Sequence, residues 1–242
     1  MTPRTPDRQF SPDGSMTALS SLPPRDTSVL VRTVRDRLRQ AIIFGELEPG
    51  SRLNQVQVAE QLGVSRMPVR AASAGLVTEG LLKPLPAGGV AVQHLTKKDV
   101  PQAYRVREAL EVQAVLDVVT HGQSAAIDRL FAILARHAEL GGINDIYTLA
   151  VLDREFHASI LEATGNPFFA RAMVPMWSVV ERAVVGMLKN VPDMFILAWK
   201  QHRAIAEALR AGEAGLAETH VRQHLRDAAS RLIAVSDETT MD

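Results

Sequence analysis

The stretch VAEQLGVSRMPVRAASAGLVTEGLL, residues 58–82, decides the fold of the first third of the chain. It holds the end of one short helix and the whole of another, joined through Leu62-Gly63-Val64-Ser65. Asn54 stands where it can cap the first helix, which stops at Gly63, and Ser65 stands where it can cap the second. Pro68 falls in the first turn of that second helix, where a missing N–H costs nothing. Two short helices in this order, the second opening on Ser65, Arg66 and Arg70, predict a helix-turn-helix. The first turn of the second helix offers free N–H groups and a positive dipole end to phosphate. Arg66 and Arg70 lie four apart on one face and can present guanidinium forks to guanine edges in a major groove.

Working outward, residues 28–43 (SVLVRTVRDRLRQAII) set Val31, Val34, Leu38 and Ile42 at helical spacing with arginines opposite. GELEPGS ends that helix, and Arg52-Leu53 reads as a short extended piece. Downstream, LLKPLPAGGVAVQHL (81–95) has two β-prone pieces around Ala87-Gly88-Gly89, which predicts a hairpin and so the winged form of the motif.

From Thr96 onward the β signals vanish. Helical segments are expected near 97–119, 123–140, 144–164, 167–189, 193–211 and 213–235, broken at HGQS, GGIND, TGNP, NVPD and AGEAG. The fold class expected is mainly α: a disordered tail (1–26), a winged helix-turn-helix domain (27–95), an all-α bundle (96–236) and a short tail (237–242).

At 242 residues and 46% apolar content the chain can bury cores for two modest domains. The absence of cysteine excludes disulfides, thiolate zinc sites and cysteine nucleophiles, and suits a reducing compartment such as the cytoplasm. Residues 1–26 have no apolar targeting core, and no uncharged apolar run approaches the roughly 20 residues that span a bilayer. Residues 27–98 hold 10 Lys/Arg against 5 Asp/Glu, whereas residues 99–242 hold 14 against 19. One half is therefore suited to a polyanion and the other is not, although chance clustering of solvated charge would look the same.

The helical half places polar residues on apolar faces. Asp153 lies at the middle of the stripe made by Ile146, Leu149, Ala150, Phe156, Ile160 and Leu161, with His157 about one turn on. His202 is centred among Ala198, Trp199, Ile205, Ala206 and Leu209, and His224 shares a face with Ala217, Val221 and Ala228. A buried carboxylate and imidazoles without partners would each cost several kcal/mol, so they must satisfy one another or a common ion. Separately hydrogen-bonded core residues are the plain alternative. Four such residues on three helices favour an N/O-ligated divalent ion such as zinc, nickel or manganese. Arg107 also sits on an apolar face, and is either an i,i+4 partner of Glu111 or a fork for a ligand carboxylate. The remaining histidines, His94, His121, His137 and His220, read as surface or loop-end residues.

AIIFGELEPGSRL followed by VAEQLGVSRMPVRAASAGLVTEGLL and the hairpin glycines resembles the winged-helix domain of GntR-family bacterial transcription regulators. The resemblance implies that Ser65, Arg66 and Arg70 contact DNA and that Gly88 and Gly89 form a wing tip entering the minor groove. The chain departs from the family at Ala71-Ala72-Ser73 and Gly75, which predicts a less rigid reading helix with its own operator preference. RVREALE, LDREFHASILEATGN and QHRAIAEALRAGEAGLAETHVRQHL resemble the helical effector domain, FCD, of the FadR-type branch. In metal-containing members of that branch the ligand positions fall on Asp153, His157, His202 and His224, and the arginine associated with small organic acids falls on Arg107.

The resemblance therefore implies a homodimeric, operator-binding regulator, usually a repressor, controlled by a small organic acid at a divalent metal. A metal sensor with the ion as effector, and a metal-dependent hydrolase, are the alternatives.

Overall fold

A computed structural model describes residues 27–96, 98–121, 124–140, 145–190 and 194–238. The tail expected over 1–26 lies outside the described residues, as does 239–242.

The N-terminal part contains α1 (Thr27–Ile43), α2 (Gln55–Gln61) and α3 (Arg66–Thr78), followed by β1 (Leu82–Pro84) and β2 (Val90–Val92). Val34, Leu38 and Ile42 of α1 are buried against Val69, Ala72 and Leu76 of α3, with Leu53, Leu81, Leu82 and Val92 closing the core. Asn54 caps α2 as expected, its Oδ1 accepting from the Val56 and Gln57 amides at 3.2 Å. Ser65 occupies the extended N-cap position of α3, but its hydroxyl makes no capping hydrogen bond. Ser65 is thus the N-cap of α3 by position, as expected, without a hydroxyl hydrogen bond.

β1 and β2 pair antiparallel, Lys83 opposite Ala91. The turn between them needs left-handed backbone at two consecutive positions, φ 84° at Gly88 and 83° at Gly89, which glycine adopts without steric cost. The extended Arg52-Leu53 piece joins the hairpin as a third edge. Arg52 bridges to Ala91, and the Leu53 amide donates to Val90 O at 3.0 Å.

Despite Ser73 and Gly75, α3 is continuous from Arg66 to Thr78. The buried Ser73 hydroxyl donates to Val69 O at 2.7 Å, so its polarity is satisfied inside the helix. A Cβ at Gly75 would meet Arg35 Cδ at 3.4 Å, an ordinary contact with a flexible side chain.

The C-terminal part is a bundle of α4 (Asp99–His121), α5 (Ser124–Glu139), α6 (Ile146–Ala163), α7 (Pro167–Asn190), α8 (Met194–Ala211) and α9 (Ala214–Glu238). The last helix runs to Glu238, past its expected end at 235. The core has Val115 on α4, Leu130 on α5, Phe156 and Ile160 on α6, Met173 and Val180 on α7, Ile205 on α8 and Leu225 on α9, all buried. The fold is thus mainly α, a winged helix-turn-helix followed by a helical bundle.

The two parts meet along α7. The turn after α3 lies close against it, since a Cβ at Gly80 would stand 3.2 Å from Ser178 Oγ. Arg182 donates to Gln93 O and Lys189 donates to Phe44 O, each at 2.8 Å.

Candidate metal centre and nucleic-acid interface

α4, α6, α8 and α9 each turn a polar residue into the bundle. Arg107, Glu111, Asp153, His157, His202 and His224 are all buried, His157 and His202 completely. The Nε2 atoms of the three histidines form a triangle, 3.1 Å from His157 to His202 and 3.2 Å on the other two sides.

Their second nitrogens show how the rings are oriented. His157 donates Nδ1–H to Glu111 Oε2 at 2.7 Å, and His224 donates Nδ1–H to Gln201 Oε1 at 3.1 Å. Gln201 is oriented in turn by its amide nitrogen, which donates to Asp227 Oδ2 at 2.7 Å. With Nδ1 so engaged, the Nε2 atoms of His157 and His224 face His202 Nε2, where the three can share a proton or a cation.

The spacing also suits an ion. Nitrogens about 2.1 Å from one metal stand about 3.0 Å apart at right angles and about 3.4 Å apart at the tetrahedral angle, and the triangle falls between. Burial and the neighbouring imidazoles push His202 and His224 well below their ordinary pKa range, so both are neutral and ready to ligate at physiological pH. Phe156 stacks on His202 with centroids 4.4 Å apart and fixes its ring plane.

Asp153 stands at the edge of this group. His202, His157 and His224 are the three whose ligand atoms converge among the described residues, while Asp153 Oδ1 lies 3.6 Å from His202 Nε2. Burial raises its carboxyl pKa, an effect that His157 and Arg107 partly offset.

Arg107 makes the expected i,i+4 pair and keeps one guanidinium nitrogen without a hydrogen bond. Its Nε donates to Glu111 Oε1 at 2.5 Å, the i,i+4 pair, while its Nη2 is buried with no hydrogen-bond partner. Its guanidinium lies 5.1 Å from the Tyr104 ring centre and 5.8 Å from that of Trp177. Burial opposes ionisation of Glu111, but Arg107 and His157 overcome it and hold that carboxyl at about 2. Glu111 and Gln201 complete the hydrogen-bond network around the imidazoles, and sequence reasoning did not place either in the candidate site. The signals were present, Glu111 one turn after Arg107 and Gln201 directly before His202, but neither names its partner on another helix.

The other histidines are only partly as expected. His94 and His121 are exposed and His220 is half-buried. His137 instead stacks on Trp199, centroids 3.9 Å apart, because α5 and α8 bring those faces together.

In the N-terminal part, Ser65, Arg66 and Arg70 are exposed on the first turns of α3, with Met67 70% exposed between them. Gly88 and Gly89 are exposed at the wing tip, where Arg52 donates from Nη2 to Gly88 O at 3.2 Å.

A winged helix-turn-helix joined to a helical bundle with a buried polar cluster is the build of a DNA-binding regulator. Residues 30–92 match the model for bacterial regulatory proteins of the gntR family, and residues 102–227 match the FCD domain. The "Probable D-xylose utilization operon transcriptional repressor" of Paenarthrobacter nicotinovorans is 31% identical over 79% of this chain and 84% of its own length. An HTH-type transcriptional regulator in an unstable DNA locus of Streptomyces ambofaciens is 30% identical over 81% of each chain. The solved structure of Escherichia coli McbR/YncC has the same fold, with a TM-score of 0.73 at 22% identity over 84% of this chain and 96% of that one. The chain belongs to the GntR family of transcriptional regulators and carries an FCD domain. Its family and relatives are regulators rather than enzymes, which sets aside the hydrolase alternative. Among the described residues, no helix is long and apolar enough to cross a membrane.

Proposed function

We propose that the protein is a cytoplasmic, homodimeric repressor whose operator affinity is set by a small organic acid bound at a divalent metal in the FCD domain. The observation that carries the reading is the triangle of imidazole nitrogens beside an arginine with an unpartnered Nη2.

His157, His202 and His224 hold the ion, with Asp153 as the fourth donor, and zinc, nickel and manganese all accept such a set. The ion, when bound, supplies Lewis acidity and open positions for a carboxylate. Arg107 contributes Nη2 to the same carboxylate, a charge-assisted bond that fixes its orientation. Glu111 keeps Arg107 and His157 in register, so the two grips on the acid are set by one side chain. Ser65, Arg66 and Arg70 read a half-site in the major groove while Gly88 and Gly89 follow the minor groove. Two copies related by a two-fold axis would match a palindromic operator. The repressor sign follows the role named for the Paenarthrobacter relative.

The test is a gel-shift titration on an operator obtained by in vitro selection, using zinc-loaded protein and a panel of small mono- and dicarboxylates. At least one acid should change operator affinity, and Arg107→Ala should lose that response while keeping its zinc. An acid response unchanged in Arg107→Ala contradicts the assigned site, and a graded response to zinc alone favours the ion itself as effector.

A further inference from the structure

Glu181 on α7 is buried, yet each of its oxygens is held by an arginine from a different part of the molecule. Oε1 accepts from Arg154 Nη1 of α6 at 2.9 Å, and Oε2 accepts from Arg39 Nη2 of α1. Arg39 then donates from Nε to Glu79 Oε2 at 3.1 Å, and Glu79 is the C-cap of the reading helix α3. In the other direction, Arg154 lies 5.6 Å from the Trp177 ring centre, the same ring that Arg107 approaches to 5.8 Å. Arg35, Arg39, Glu79, Arg154 and Trp177 line one cleft of about 290 Å³ between the DNA-binding and effector domains.

Charge in and beside the cleft is balanced, since Arg35, Arg39 and Arg154 pair with Asp36, Glu79 and Glu181. It is therefore not a second anion site. Its side-chain exposures (7% at Glu181, 17% at Arg39) make it a desolvated pair of the kind in which removing one partner strands the other. A desolvated network of this kind can switch between discrete pairings, and so can act as a two-state element.

We propose that Glu181 is a latch fixing the DNA-binding domain on α7, and that Trp177, one turn before it, carries the position of Arg107 to that latch through Arg154. An acid drawn to Arg107 shifts the guanidinium against Trp177, Arg154 changes its hold on Glu181, and Arg39 with Glu79 is freed or tightened at the end of α3. This deepens the effector reading above and rests on it for the acid. The mechanical link itself is testable without any acid.

Amide hydrogen exchange of the zinc-supplemented full chain provides the test, using wild type, Glu181→Gln, Arg107→Lys, the double variant, and Glu162→Gln as a surface control. Lysine keeps the charge of Arg107 but loses the planar group against Trp177. Glu181→Gln and Arg107→Lys should each speed exchange about fivefold or more in peptides covering residues 27–43 and 73–82, the low end of usual coupling. The double variant should match Glu181→Gln alone, because the signal passes through that residue. Glu162→Gln should match wild type. Arg107→Lys leaving those peptides unchanged, or effects that add in the double variant, would overturn the link even if Glu181→Gln loosens the interface. Zinc content measured on the same samples separates the two ideas. Zinc bound with no Arg107→Lys effect defeats the latch and spares the metal site, while the effect without zinc does the reverse.

Discussion

His157 and Glu111, on different helices, share a 2.7 Å hydrogen bond from Nδ1 to Oε2, and the other oxygen of Glu111 is the one that Arg107 holds. The carboxylate thus fixes the tautomer of an imidazole and the direction of a guanidinium together. Glu111→Gln keeps an acceptor for His157 but removes the charge that both neighbours use. Zinc affinity, followed by competition with a chromogenic chelator, should fall about 10–100-fold. Unchanged affinity would mean that Glu111 serves Arg107 alone.

Acid should destabilise the metal-free protein. Burial, with the neighbouring imidazoles, lowers the pKa of His202 and His224 in the folded chain, whereas both protonate near 6.5 when unfolded. Above that pH their contribution is fully present. Below it the unfolded chain binds more protons, and stability drops by about 1.4 kcal/mol per pH unit for each imidazole. Asp153, raised by burial, works the other way, and Glu111, held at about 2, stays ionised throughout. Thermal melting of chelator-treated protein should fall between pH 7.5 and 5.5, and a flat profile would contradict burial of two neutral imidazoles.

Arg70 is exposed on the face of α3 that presents Arg66. Arg70→Ala should weaken binding to the selected operator by about 1–3 kcal/mol and relax preference at one base pair. Equal gel-shift affinity for wild type and variant would move the reading surface elsewhere.

Gly75 is helical rather than left-handed, and the Cβ it lacks would touch only the flexible Arg35 side chain. Gly75→Ala should therefore stabilise the DNA-binding domain by about 0.5–1 kcal/mol, read as a higher denaturant midpoint. Destabilisation would show that Arg35 cannot give way, and would tie Gly75 to the packing of α1 on α3.

The fold was legible where one element decided its own character. Gly63 between two periodic segments, the glycine pair of the wing and the breaks between long helices each carry local rules. So did the inward direction of His157, His202 and His224, because each stands at the centre of an apolar stripe. What could not be read depends on how elements dock. Asp153 shares the stripe of His157 yet stands beside the imidazole triangle, a matter of where α6 meets α8. Gln201, one residue from His202, turns instead to His224 on α9. His137 looked like a surface residue until α8 brought Trp199 against it. The pairing of Arg39 with Glu181 spans two separately patterned domains, and no periodicity links them.

The central claim is that His157, His202 and His224 form a metal-bound effector site. Native mass spectrometry of the purified full chain, incubated with zinc and then desalted, tests it most directly. One divalent ion per chain is expected in the wild type and none in His202→Ala, with both folded. A wild-type spectrum without metal, or a His202→Ala spectrum that retains it, would contradict the account.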